Sequence, residues 1–138
     1  MKVVVDTNVI AYYLLGTRSF AQEVRLFWHH VDEVLAPAVW EAELANVLWM
    51  ATRTGSITPE QGQRRLAFAA AMGIHSVSNR TLWRGTLARA VSSRVAVYDT
   101  LFVELAARAP APLATFDAKI LQTFPDIAAR PWALVAKA

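Results

Sequence analysis

Residues 1–16 read MKVVVDTNVIAYYLLG, an apolar run that passes through a polar triplet into a second apolar run. Val3 to Val5 are three β-branched apolar residues, and Lys2 to Val5 predicts a buried strand. Val9 to Leu15 predicts a short helix stopped by Gly16. Between them stand Asp6, Thr7 and Asn8, so a core strand runs straight into a carboxylate. Asp6 fits two roles at such a junction, the N-cap of the helix or a group presented for chemistry.

The same alternation of short β-branched runs and helical runs continues along the chain. Ser19 to His30 predicts a helix with Phe20, Val24 and Phe27 on one face, and Val34 to Ala36 a short strand leading through Pro37 into a helix over Val39 to Thr52, ended by Gly55. Thr58, Pro59, Glu60 and Gln61 make a capping box with proline at the first helical position, so a helix from Pro59 to Met72 follows, ended by Gly73. Beyond it, Ile74 to Val77 predicts a strand, Leu82 to Val91 a helix, Tyr98 to Ala109 a helix stopped by Pro110 and Pro112, Leu113 to Thr115 a strand and Ala118 to Phe124 a helix. Pro131 to Val135 is expected to form a last edge strand. Strands joined by helical crossovers imply a parallel sheet with helices on both faces, an α/β sandwich.

At 138 residues the chain has the size of one domain, residues 1–138. It contains no cysteine, which excludes disulfides, thiolate metal sites and cysteine nucleophiles. Lys2 is followed by only three apolar residues before Asp6, and no apolar run approaches the roughly 18 residues of a membrane span, so a soluble, cytoplasmic protein with no membrane partner is expected. Apolar residues make up 55% of the chain, against about 45–50% in ordinary domains, so some apolar surface needs a partner. The net charge of +3 is dominated by arginine, the side chain best shaped to fork onto phosphate, and permits nucleic acid binding.

Four carboxylates stand where local structure explains them poorly. Asp6 follows the first strand and Asp117 follows the strand in LATFD, and parallel α/β sheets place ligand sites beyond the carboxyl ends of their strands. On the helix AVWEAELANVLWM, Trp40, Leu44, Val47 and Ala51 form an apolar face with Glu43 at its margin, while Glu41 points to solvent. On VYDTLFVELAARA, Glu104 and Arg108 form an i, i+4 pair that with Thr100 is expected to mark the solvent side. Asp99 faces the other way, among apolar residues, where an unpaired ion costs several kcal/mol and so requires a cap, a partner or a metal. No cationic partner adjoins any of the four in sequence. Brought together, they would raise one another's pKa unless a cation neutralised them. Oxygen-only ligands favour a hard divalent ion, Mg²⁺ or Mn²⁺, able to activate water against a phosphodiester.

DTNV at Asp6, ELANVL at Glu43, YDTLFVELA at Tyr98 and LATFD at Leu113 occur in the order and spacing of the PIN-domain ribonucleases, and within them the chain resembles the VapC toxins of type II toxin–antitoxin pairs over essentially its whole length. The resemblance implies a three-layer α/β/α sandwich on a mainly parallel five-stranded sheet. It also implies an Mg²⁺- or Mn²⁺-dependent endoribonuclease with an acidic site at Asp6, Glu43, Asp99 and Asp117, of which Asp6, Asp99 and Asp117 hold metal, supported by Asn8 and Thr115. It further implies a homodimer and a VapB-like antitoxin whose C-terminal segment lies over the active-site groove, which gives the apolar excess and the five tryptophans a purpose. Glu104 departs from the small or apolar residue many relatives carry there.

Other readings remain beside this one: a stand-alone PIN nuclease in RNA processing, or a non-catalytic RNA-binding domain of the same fold. An aspartyl phosphatase with Asp6 as nucleophile wants an acid two residues on, where this chain has Asn8. Gly16, Gly55, Gly62, Gly73 and Gly85 are scattered and form no phosphate-cradling loop. His29, His30 and His75 lack metal-ligand spacing and are assigned no role. Arg80 and Arg84 share a helix face, read as solvated rather than as an RNA contact.

Overall fold

The computed structural model describes residues 1–137. Its elements run β1 (Lys2–Val5), α1 (Thr7–Leu15), α2 (Ala21–Trp28), β2 (Glu33–Pro37), α3 (Val39–Arg53), α4 (Pro59–Ala70), β3 (His75–Val77), α5 (Asn79–Ser93), α6 (Val97–Arg108), β4 (Leu113–Ala114), α7 (Ala118–Thr123), β5 (Ala128–Ala129) and α8 (Pro131–Ala136). The five strands form one sheet in the order β3-β2-β1-β4-β5, and every pairing is parallel.

β1 lies at the centre because its three valines can be buried on both faces, and all three are fully buried. From β1 the chain steps one way to β2 and β3, then crosses back past β1 to β4 and β5. Parallel crossovers are right-handed, so reversing direction moves the connecting helices to the opposite face. Accordingly α1 packs with α2 and α3, and α3 with α4, while α5 pairs with α6 and α6 lies across β1, β2 and β4. The reversal leaves a switch point between β1 and β4, where such sheets open a crevice for ligands.

Local signals set the helix ends. Gly16 closes α1 in the left-handed conformation at φ 61°. The capping box at α4 forms as expected, with the Thr58 hydroxyl accepting from the Gln61 amide and the Gln61 side chain accepting from the Thr58 amide.

Two expectations are corrected. Residues 131–135 do not form a strand: Pro131 is the first residue of α8, a position where its missing N–H is no loss, and the last strand is Ala128–Ala129 just before it. Glu104 and Thr100 do not mark a solvent side either, since both are buried beneath α5. The Glu104–Arg108 pair exists, but Arg89 of α5 also donates to the Glu104 carboxylate, which satisfies the charge well enough to cover it. Among the described residues, no helix is long and apolar enough to cross a membrane.

Candidate active site

Parallel pairing of Val5 with Ala114 puts the next residues of both strands side by side at the switch point. The Asp6 amide donates to the Ala114 carbonyl at 2.9 Å, which fixes Asp6 at the mouth of the crevice. The residue is 7% exposed, and its carboxylate receives three donors: the Thr7 amide on Oδ1 at 2.8 Å, and on Oδ2 the Thr115 hydroxyl at 2.7 Å and the Asn8 Nδ2 at 3.3 Å. Thr115 Oγ1 accepts from the Asp117 amide at 3.0 Å, so its single proton is directed to Asp6. Asn8 Oδ1 accepts from the Phe116 amide at 3.3 Å, which turns the Nδ2 end toward Asp6.

The other carboxylates arrive from separate elements. Glu43 and Val47, one turn apart on α3, face the crevice, and Glu43 Oε1 accepts from the Thr7 hydroxyl at 2.7 Å. Asp99 comes from the first turn of α6, and Asp117 caps α7 by accepting from the Ile120 amide at 2.9 Å. Asp6, Glu43, Asp99 and Asp117 all line one crevice of about 290 Å³, with Asn8 among its other walls. Asp6 and Asp117 thus serve as N-caps and as walls of the crevice at once.

Burial pushes the Asp6 pKa up to about 7, and the negative charges of Asp99 and Glu43 add to it against the donors from Thr115 and Thr7. Glu43 is raised by burial and by Asp99. Asp99 is raised by burial and by Asp117, with Lys119 pulling the other way. Among the described residues, none of the four pairs with a lysine or arginine.

A cluster of oxygen donors that repel one another and have no paired cation fits a hard divalent ion. As placed, no three acidic or histidine side chains among the described residues close on one point.

Sequence reasoning missed Thr7 and Lys119. Thr7 is buried and holds Glu43 across 36 residues, a contact without local signature. Lys119 reaches from α7 to donate to the Arg94 carbonyl at 3.2 Å, so its proximity to Asp99 follows from tertiary structure alone. Arg80 and Arg84 are exposed, and Arg80 lies over the Trp83 ring at 5.3 Å.

Residues 3–126 match the family described as PIN domain. The chain belongs to the PIN domain family. The PIN domain also aligns with the ribonuclease VapC3 of Pyrobaculum aerophilum at 30% identity over 132 residues, covering 92% of this chain and 98% of that one. Two solved structures share its fold: a toxin–antitoxin complex from Klebsiella pneumoniae, TM-score 0.65 at 16% identity, and VapBC2 from Rickettsia felis bound to a promoter DNA fragment, TM-score 0.65 at 15% identity. Each covers 94% of this chain and 98% of the chain compared.

Proposed function

We propose that this PIN domain is an Mg²⁺- or Mn²⁺-dependent endoribonuclease acting as the toxin of a VapBC-type pair. The observation that carries the reading is the convergence of Asp6, Glu43, Asp99 and Asp117, from four distant segments, on one crevice at the switch point of the sheet. The likeness to a VapC ribonuclease over nearly the full length of both chains supports it.

In this reading Asp6, Asp99 and Asp117 hold the ion, directly or through water. When bound, the ion supplies positive charge to the scissile phosphate and its leaving oxygen and acidifies water. Asp6 is kept in one orientation by Thr115, Asn8 and the Thr7 amide, so its ligating oxygen needs no reorganisation. Glu43, anchored by the Thr7 hydroxyl and made more basic by burial and by Asp99, orients the attacking water and accepts its proton. Phosphatase chemistry through Asp6 is disfavoured by Asn8, whose amide is committed at both ends and supplies no acid.

The partners follow the same resemblance. A VapB-like antitoxin covers the active-site groove, and two copies of the chain associate through the exposed stripe of Trp83, Leu87 and Val91 on α5. A small reading frame for a DNA-binding protein next to this one supports the toxin role, and its absence favours a stand-alone nuclease. The decisive experiment is cleavage of RNA by the purified protein with Mn²⁺, with and without EDTA, beside Asp99→Asn. Cleavage lost in both cases supports the mechanism, and cleavage that survives both overturns it.

A further inference from the structure

The crevice has two chemically different ends. The carboxylates occupy one; the other is walled by Ala11, Tyr12 and Leu15 of α1 and Val47 of α3. Asn8, Ala11, Tyr12 and Leu15 recur at helical spacing, so one face of α1 runs from the acid cluster into an apolar trough without a break.

Tyr12 is rigidly mounted at that end. Its ring stacks on Phe20 at 4.4 Å and 15°, and Phe116 meets it at 5.3 Å and 62°. Phe116 is itself fixed, since its amide donates to Asn8 and it immediately precedes Asp117. Behind the rings, the Arg130 guanidinium lies 5.0 Å from Phe116 and 5.9 Å from Phe20 while forming two hydrogen bonds to Glu23. An aromatic ring held this way is ordered before a ligand arrives, so stacking on it costs little further order.

We propose that this trough is a base-binding subsite, in which an unpaired nucleobase next to the scissile phosphate packs against Tyr12. The subsite rests on the nuclease reading and adds to it a base contact on Tyr12 beside the cut. A phosphodiester seated at the carboxylates carries a nucleoside on each side, so one base is delivered by covalent geometry to the apolar end. A base paired in a duplex is stacked on its neighbours and cannot enter. Ala11, Leu15 and Val47 offer no group to read a base edge and Tyr12 offers a single hydroxyl, so the subsite discriminates mainly by shape and stacking.

The test starts from the unmodified protein with Mn²⁺ and a short single-stranded RNA whose cut position is mapped. The same RNA is assayed annealed to its complement across the cut, and with an abasic nucleotide on either side of it. The expected result is loss of cleavage in the duplex and a roughly tenfold rise in KM for one of the two abasic RNAs, the scale of one lost stacking contact. Equal cleavage of the intact and both abasic RNAs overturns the subsite and leaves the nuclease standing. Failure to cut any RNA removes the nuclease reading and the subsite with it. With 2-aminopurine at the affected position, fluorescence is expected to be quenched on binding to Asp99→Asn and to recover when Tyr12→Leu is added; unchanged fluorescence overturns the proposal. Val47→Trp, which fills the trough, is expected to raise KM for RNA. If it instead leaves KM for RNA unchanged, the trough holds no base and the proposal fails.

Discussion

Asp6 concentrates the electrostatics of the site. Folded, it keeps its proton up to about pH 7, whereas unfolded it releases it near its ordinary value of 3.8. Between those values the folded state binds more protons, so the stability of the metal-free protein falls as pH rises from about 4 to 7. The raised pKa values of Glu43 and Asp99 act in the same direction. Urea unfolding in EDTA is expected to show this decline, and its reduction in Asp6→Asn. Thr115→Val removes the hydroxyl that Asp6 relies on once ionised. It is expected to cost about 1.5–3 kcal/mol above pH 7, and about 1 kcal/mol at pH 5.5 where Asp6 is neutral. The same denaturation at the two pH values checks it. The four acids were legible in the sequence because each sits at a strand end or on the wrong side of a helix. Thr7 and Lys119 were not, because their importance comes from contacts made only after folding.

At the scale of elements, the pairing of α5 with α6 shows why a periodic pattern can mislead. Glu104 and Arg108 at i, i+4 read as a solvated pair, yet Glu104 lies under α5 at the one place where that helix has a glycine. A Cβ on Gly85 would clash with the Glu104 carboxyl atoms, which Arg89 and Arg108 hold in place. Gly85→Ala is therefore expected to destabilise by roughly 1–3 kcal/mol despite the better helix propensity of alanine. Adding Glu104→Ala should return part of that loss, a non-additivity that a double-mutant cycle measures. The end of the chain misled for a different reason. β5 is only Ala128–Ala129, too short and too bland for a pattern, whereas Pro131 reads equally as an edge-strand residue or a helix start.

Across the whole molecule, the sequence order of strand and helix was enough to imply a parallel sandwich, because β-branched runs and helix stops alternate from end to end. The strand order β3-β2-β1-β4-β5 was not legible from residues alone, and it is this order that places Asp6 beside Thr115 and Asp117. The apolar surplus is visible on α5, where Trp83 is 54%, Leu87 59% and Val91 75% exposed along one stripe. If that stripe joins two copies, Leu87→Glu is expected to halve the mass found by sedimentation while leaving thermal stability at high dilution unchanged.

If four carboxylates from distant segments act as one metal site, Mn²⁺ titration calorimetry at pH 6 shows saturable binding to wild type with release of about one proton, seen as dependence of the heat on buffer ionisation enthalpy. Asp99→Asn loses that binding. Equal binding to both proteins, with no proton released, would contradict the shared site.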